Sequence, residues 1–270
     1  MEHYALPTEV RFKGVRELIE NKRYFILHAP RQTGKTTVMM QLMHQLNREG
    51  EFVSLYINVE AGQAYRDNLE GLNRCIMEEI GLKAKIFLPS ELQPSSQCKE
   101  GVNEFSTYLA NWCMELTKPL VLFMDEVDAL IGDGLISVLR QLRSGYSQRP
   151  KAFPHAMCLI GLRDIRDYRI YSEKSERYII GGSAFNIKDK SCTLADFTKK
   201  EVAELYAQHT EATGQAFTPE ALARVFELTQ GQPWLVNALG RELCFEEFAV
   251  PREQEVTEKD VDEKVEILIR

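Results

Sequence analysis

Gly34-Lys35-Thr36 and Asp125-Glu126 are the residues of this 270-residue chain whose types and placement could do chemistry. A lysine between a glycine and a hydroxyl residue can hold a polyphosphate. The Lys35 ammonium reaches β- and γ-phosphates, and the Thr36 hydroxyl can ligate Mg²⁺. An Asp-Glu pair suits hydrolysis of such a phosphate. Asp125 would hold the magnesium with its water shell, and Glu126 would act as general base on an attacking water.

The elements around these residues must deliver them to one place. Tyr24 to Leu27 is an apolar run that reads as a buried parallel strand. Ala29 to Gly34 is a tight turn, and a helix starts at Lys35 with Val38, Met39, Leu42 and Leu46 on one face. Strand, turn and helix together make a phosphate cradle. Pro30, Arg31, Gln32, Thr33, Gly34, Lys35, Thr36 and Thr37 then surround the phosphates with backbone N–H groups and the positive end of the helix. Ala29 stands where the pattern G-x-x-x-x-G-K-[ST] has its first glycine, so the loop forms normally only if φ is negative there. Leu120 to Met124 are five consecutive apolar residues before Asp125-Glu126. A buried strand has no reason to end in two carboxylates unless they emerge at a polar site.

Composition narrows the partners. Hydrophobic residues make up 44% and charged ones 27%, as in ordinary globular proteins, and the net charge of −7 excludes a uniformly basic surface. Charge is uneven: Arg140 to Arg169 holds seven Lys/Arg against two Asp, which leaves a local nucleic-acid surface open. The six cysteines form no C-x-x-C pair, which argues against a zinc site and fits a reducing, cytoplasmic setting. No signal peptide and no apolar run of membrane-spanning length is evident, so no membrane partner is expected.

Along the chain, Val10 to Ile19 reads as one short helix, Phe52 to Val59 as a strand, and 66–81 and Val102 to Leu116 as helices. A helix from Leu135 to Ser144 and a strand from Ala156 to Leu162 follow. Tyr178 to Ile180 and Ser191 to Ala195 are candidates for a last strand. From Thr198 the pattern is helical only: a capping box at Thr198-Lys-Lys-Glu201, an N-cap with proline at Thr218-Pro219, the break Gly231-Gln-Pro233, and a last helix from Thr257. Trp112 and Trp234 read as core residues, and Arg140 and Arg143 as a solvated helix face or, alternatively, as arginine fingers. The organisation expected is an α/β nucleotide-binding domain over 1–195, with a mostly parallel five-stranded sheet flanked by helices, then a small all-helical lid over 196–270.

This order of motifs resembles the AAA-like and STAND P-loop ATPases, near the archaeal-type ATPases related to NACHT and NB-ARC domains. The phosphate loop Ala29 to Thr36 and the acidic strand end Leu120 to Glu126 are common to many P-loop NTPases. Ile160-Gly-Leu-Arg163-Asp164 is similar to the strand-end motif whose arginine senses the γ-phosphate, and Gly231-Gln-Pro233 to the lid motif whose proline packs on adenine. The resemblance implies ATP and Mg²⁺ as cofactors, held between core and lid. It implies Glu126, Lys35 and Arg163 as the catalytic set, Pro233 at the base, and Thr36 with Asp125 at the metal. Tyr4 and Leu6 would cover the base from the N-terminal side. The expected activity is slow ATP hydrolysis driving a switch, whose output is self-association or control of a fused or partner effector domain. A nucleic-acid-binding module with a structural nucleotide and a P-loop small-molecule kinase remain the alternatives.

Overall fold

The computed structural model describes residues 4–65, 68–95, 104–130, 132–162, 169–172, 177–180 and 190–269. The chain folds as two compact units. One comprises Phe12–Ala29 and Lys35–Thr193; the other comprises Met1–Arg11, Pro30–Gly34 and Leu194–Arg270.

The first unit is α/β. Its strands are β1 (Tyr24–His28), β2 (Val53–Asn58), β3 (Leu120–Asp125), β4 (Ala156–Gly161), β5 (Arg169–Ser172), β6 (Arg177–Ile180) and β7 (Lys190–Thr193). Five of them form one parallel sheet in the order β2-β3-β4-β1-β7. Burial on both faces explains the continuous apolar runs: every residue of β3 and β4 is buried. Strand β4 lies between β1 and β3, so the strand that feeds the phosphate loop and the strand that carries the carboxylates are not neighbours. Their carboxyl ends still lie along one edge of the sheet, where open α/β sheets collect ligands. Strands β5 and β6 pair antiparallel as a separate hairpin. Tyr178–Ile180 therefore belongs to that hairpin, and the last strand of the main sheet is Lys190–Thr193.

The helices of this unit follow local signals. The single helix expected over Val10 to Ile19 is two short ones, α1 (Thr8–Arg11), which belongs to the second unit, and α2 (Val15–Glu20), because Gly14 sits at φ 76° and breaks the helical path. Helix α3 (Lys35–Glu49) buries Val38, Met39, Leu42, Met43 and Leu46, and ends at Gly50, whose φ of 75° caps it through a bond to Leu46. Helix α4 (Leu69–Phe87) starts three residues later than expected, since the Asn68 side chain caps the Gly71 N–H. Helices α5 (Glu104–Glu115) and α6 (Gly132–Ser144) complete the layer, with Trp112 fully buried and its indole N–H donating to the Leu92 carbonyl.

The second unit is built on helices α7 (Lys199–Thr213), α8 (Pro219–Thr229), α9 (Pro233–Cys244) and α10 (Glu258–Ile269). The Thr198/Glu201 capping box forms, and Thr218 and Gln232 cap α8 and α9, each with proline at the first turn. Leu6, Phe197, Val202, Leu205, Val225, Val236, Leu239 and Leu243 form its core. Trp234 is not part of it. Pro233 and Val236 point inward on α9, so Trp234, about 100° round the helix from the first and about 200° from the second, is left 50% exposed.

Candidate nucleotide site

The phosphate loop is well formed. Ala29 is not among the residues of positive φ, because it still continues the β1–β4 ladder: its N–H donates to the Gly161 carbonyl at 3.3 Å. The tight geometry falls instead at Gln32 (φ 64°) and Gly34 (φ 85°). The Thr33 hydroxyl donates to the Pro30 carbonyl at 3.0 Å and closes the turn. Lys35 is 8% exposed, and its Nζ donates to the Ala29 carbonyl at 2.8 Å, folded along the loop that it would serve.

The acidic strand end meets the start of α3. Thr36 Oγ1 donates to Asp125 Oδ2 at 2.8 Å across 89 residues of sequence. Tyr56, on β2, donates its hydroxyl to the same oxygen at 2.5 Å, and the Glu126 N–H donates to Asp125 Oδ1 at 2.8 Å. Asp125 is 1% exposed, and both its oxygens accept hydrogen bonds, as a buried polar group requires. Burial pushes the Tyr56 hydroxyl well above the usual tyrosine range, reinforced by Asp125, so it stays a donor. Glu126 sits in the left-handed region at φ 57°, a conformation that a glutamate rarely takes and that is common at functional turns. Burial first, then the charges of Asp125, Asp128 and Glu60, push its carboxyl above the usual range, while Lys35 pulls it down.

This oxygen-only donor set fits a small hard cation, and the loop with its buried lysine fits a polyphosphate. Among the described residues no cluster of three or more His, Cys, Asp or Glu suggests another metal. Two contributors escaped the sequence reading. Tyr56 reaches Asp125 only because β2 pairs with β3 in the register Asn58↔Asp125. Asp128 accepts the Leu162 N–H at 3.1 Å, and a Cβ at Gly161 would fall 2.5 Å from that same carboxylate oxygen. The acidic turn thus holds the end of β4.

The remaining expected residues divide. Arg163 lies outside the described residues. Pro30, Arg31, Gln32, Thr36 and Thr37 are exposed or partly so along the loop, and Thr33 is buried. Pro233 is buried at the first turn of α9, and Leu6 is buried in the helical core. The Tyr4 hydroxyl lies 3.5 Å from His209 Nδ1. Gln215 gives its amide hydrogens to carbonyls, so its Oε1 accepts from His209 Nε2, and Nδ1 is left to accept from Tyr4. Arg140 is exposed on α6.

A profile of the AAA-like domain matches residues 8–252. The chain belongs to the AAA-like domain family. No curated protein sequence matches it. Among solved structures this AAA-like chain is similar to Aeropyrum pernix Orc1 in complex with DNA, with a TM-score of 0.60, 15% identity, and coverage of 98% of this chain and 66% of that one. It is similar to a single-substitution form of Thermotoga maritima RuvB, with a TM-score of 0.57, 14% identity, and coverage of 96% and 69%. The FIGL-1 AAA domain in complex with ADP gives 0.52, 15%, and coverage of 95% and 81%. The AAA-like chain thus spans about two thirds of the length of the Orc1 and RuvB chains. At such identities the likeness is one of fold: a P-loop ATPase sheet followed by helices.

Proposed function

We propose that this AAA-like domain binds ATP with Mg²⁺, hydrolyses it slowly, and uses the difference between the two nucleotide states to switch a partner or an attached domain. The observation that carries the reading is the convergence of Thr36 and Tyr56 on one oxygen of Asp125, next to Glu126. Thr36 and Asp125 would hold the metal, which supplies charge neutralisation between the phosphates. Lys35 and the backbone of Pro30 to Thr37 bind the polyphosphate, and Pro233 meets the base. Glu126 accepts the proton of the attacking water, a role its raised carboxyl suits. Arg163 senses the γ-phosphate. Turnover without an activating partner is slow, on the order of 10⁻⁴ to 10⁻² per second.

Two substitutions test this. Lys35→Ala abolishes binding of a fluorescent ATP analogue, and Glu126→Gln binds ATP but retains it unhydrolysed in a filter assay. Binding by Lys35→Ala at wild-type affinity would sink the reading. ADP release with no added acceptor separates hydrolysis from kinase chemistry.

A second reading adds DNA. The Orc1 structure is a DNA complex, and this chain carries the basic stretch from Arg140 to Arg169. Within that stretch Arg149 is engaged inside the fold, stacked on Tyr146 at 3.4 Å and donating to the Tyr146 carbonyl at 2.8 Å. DNA affinity that falls steeply with salt would support this reading.

A further inference from the structure

Arg11 belongs to none of the sequence motifs, yet it is the most heavily engaged cation of the helical unit. Its side chain is 5% exposed. It donates to the Ala195 carbonyl at 2.8 Å and to the Thr33 carbonyl at 3.4 Å. It faces Glu201 at 3.7 Å and lies over the Phe197 ring at 4.3 Å. Burial lowers its affinity for the proton, and Glu201 and Asp196 oppose that. A buried guanidinium persists only where acceptors surround it, and here they come from two distant stretches of sequence.

Only one of these acceptors is in the phosphate loop, and it gives the arrangement its meaning. A trans peptide is planar, so its C=O and the next N–H point to opposite sides. A guanidinium that holds the Thr33 carbonyl therefore sets the Gly34 N–H on the other face. Thr33 cannot answer by turning, since it is 3% exposed and its hydroxyl is bonded to Pro30. The same arginine packs on Phe197, whose N–H donates to the Gly231 carbonyl at 2.7 Å. Gly231 has φ 75°, and a Cβ there would fall 1.9 Å from the Phe197 carbonyl oxygen.

We infer that Arg11 is a positioning residue of the nucleotide site. It turns the Thr33–Gly34 peptide so that its N–H faces the phosphates, and it ties that peptide to the lead-in of α7 and hence to Gly231. The inference rests on the reading of Ala29 to Thr36 as a nucleotide-binding loop. A plain staple between the N-terminus and α7 would account for Ala195, Phe197 and Glu201, but not for the bond to Thr33.

The test uses the full chain and calorimetric titration with Mg-ADP, alongside melting curves and hydrogen exchange of the loop. Arg11→Met keeps an unbranched apolar stem in place of the arginine's and removes the guanidinium with every donor. It is expected to melt near the wild type, to bind ADP about tenfold more weakly, and to lose the protection that ADP gives residues 29–36. If it does not fold, Arg11→Lys is read instead. One ammonium cannot serve both carbonyls and Glu201 as the planar fork does, so a several-fold loss is expected there too. Wild-type ADP affinity in a folded Arg11 variant, with binding lost in Lys35→Ala, overturns this inference and leaves the nucleotide reading standing. Absence of ADP binding by the wild type overturns both.

Discussion

Asp125 gathers three donors on two oxygens, and only two of them come from residues that motif reading could name. Tyr56 is the third, and it shares Oδ2 with Thr36. Partners that orient a metal ligand typically matter about 10- to 100-fold in metal affinity. Tyr56→Phe should therefore raise the Mg²⁺ concentration needed for half-maximal ADP release by about tenfold, while metal-free nucleotide binding stays as it was. A magnesium titration of both proteins checks this. Lys35, Thr36, Asp125 and Glu126 were legible because each lies within a few residues of a strand or helix end that the apolar pattern marks. Tyr56 and Asp128 were not, because their partners depend on strand register and on the close approach of β4 to the acidic turn, which no local pattern encodes. Glu126 offers a second test at this scale. Its carboxyl is raised in the folded chain, so the folded state holds that proton more tightly than the unfolded one. Its contribution to stability is full at low pH and is lost as pH rises through the ordinary glutamate value, about 4.3, to the folded one. Without metal, Glu126→Gln should melt above the wild type at neutral pH, and the gap should close in acid.

Helix ends were the most readable elements. The Thr198 capping box and the Thr218-Pro219 start form as the spacing predicts, because a side chain three residues from its partner N–H needs no tertiary context. Strand order was less readable. The placement of β4 between β1 and β3 follows from packing on both faces, and all three strands present similar apolar runs. Glycines at close approaches carry the element-scale prediction. Gly161→Ala would drive a methyl group against Asp128 and part the acidic turn from the end of β4. Overpacking of this kind costs about 1–3 kcal/mol, measurable by urea denaturation. Gly231→Ala adds backbone strain at φ 75° to a collision with the Phe197 backbone, and should be the costlier of the two.

Among the described residues, one hydrophobic cluster packs against the parallel sheet and another lies among α7 to α10. A nucleotide that binds only the folded state stabilises it by mass action, about 2.7 kcal/mol at 100 times the dissociation constant. Mg-ADP should shift the calorimetric melting of the wild type upward and leave that of Lys35→Ala where it is. The helical unit draws on three separated stretches of chain, Met1–Arg11, Pro30–Gly34 and Leu194–Arg270. That interleaving bears on synthesis. Arg11 leaves the ribosome about 180 residues before Ala195, Phe197 and Glu201, roughly ten to forty seconds earlier at ordinary translation rates. The sheet can assemble meanwhile, but Arg11, which holds the Thr33 carbonyl, gains its own partners Ala195, Phe197 and Glu201 only when the last quarter of the chain has emerged. If Arg11 positions that peptide, its final anchoring is a late event in the synthesis of this chain.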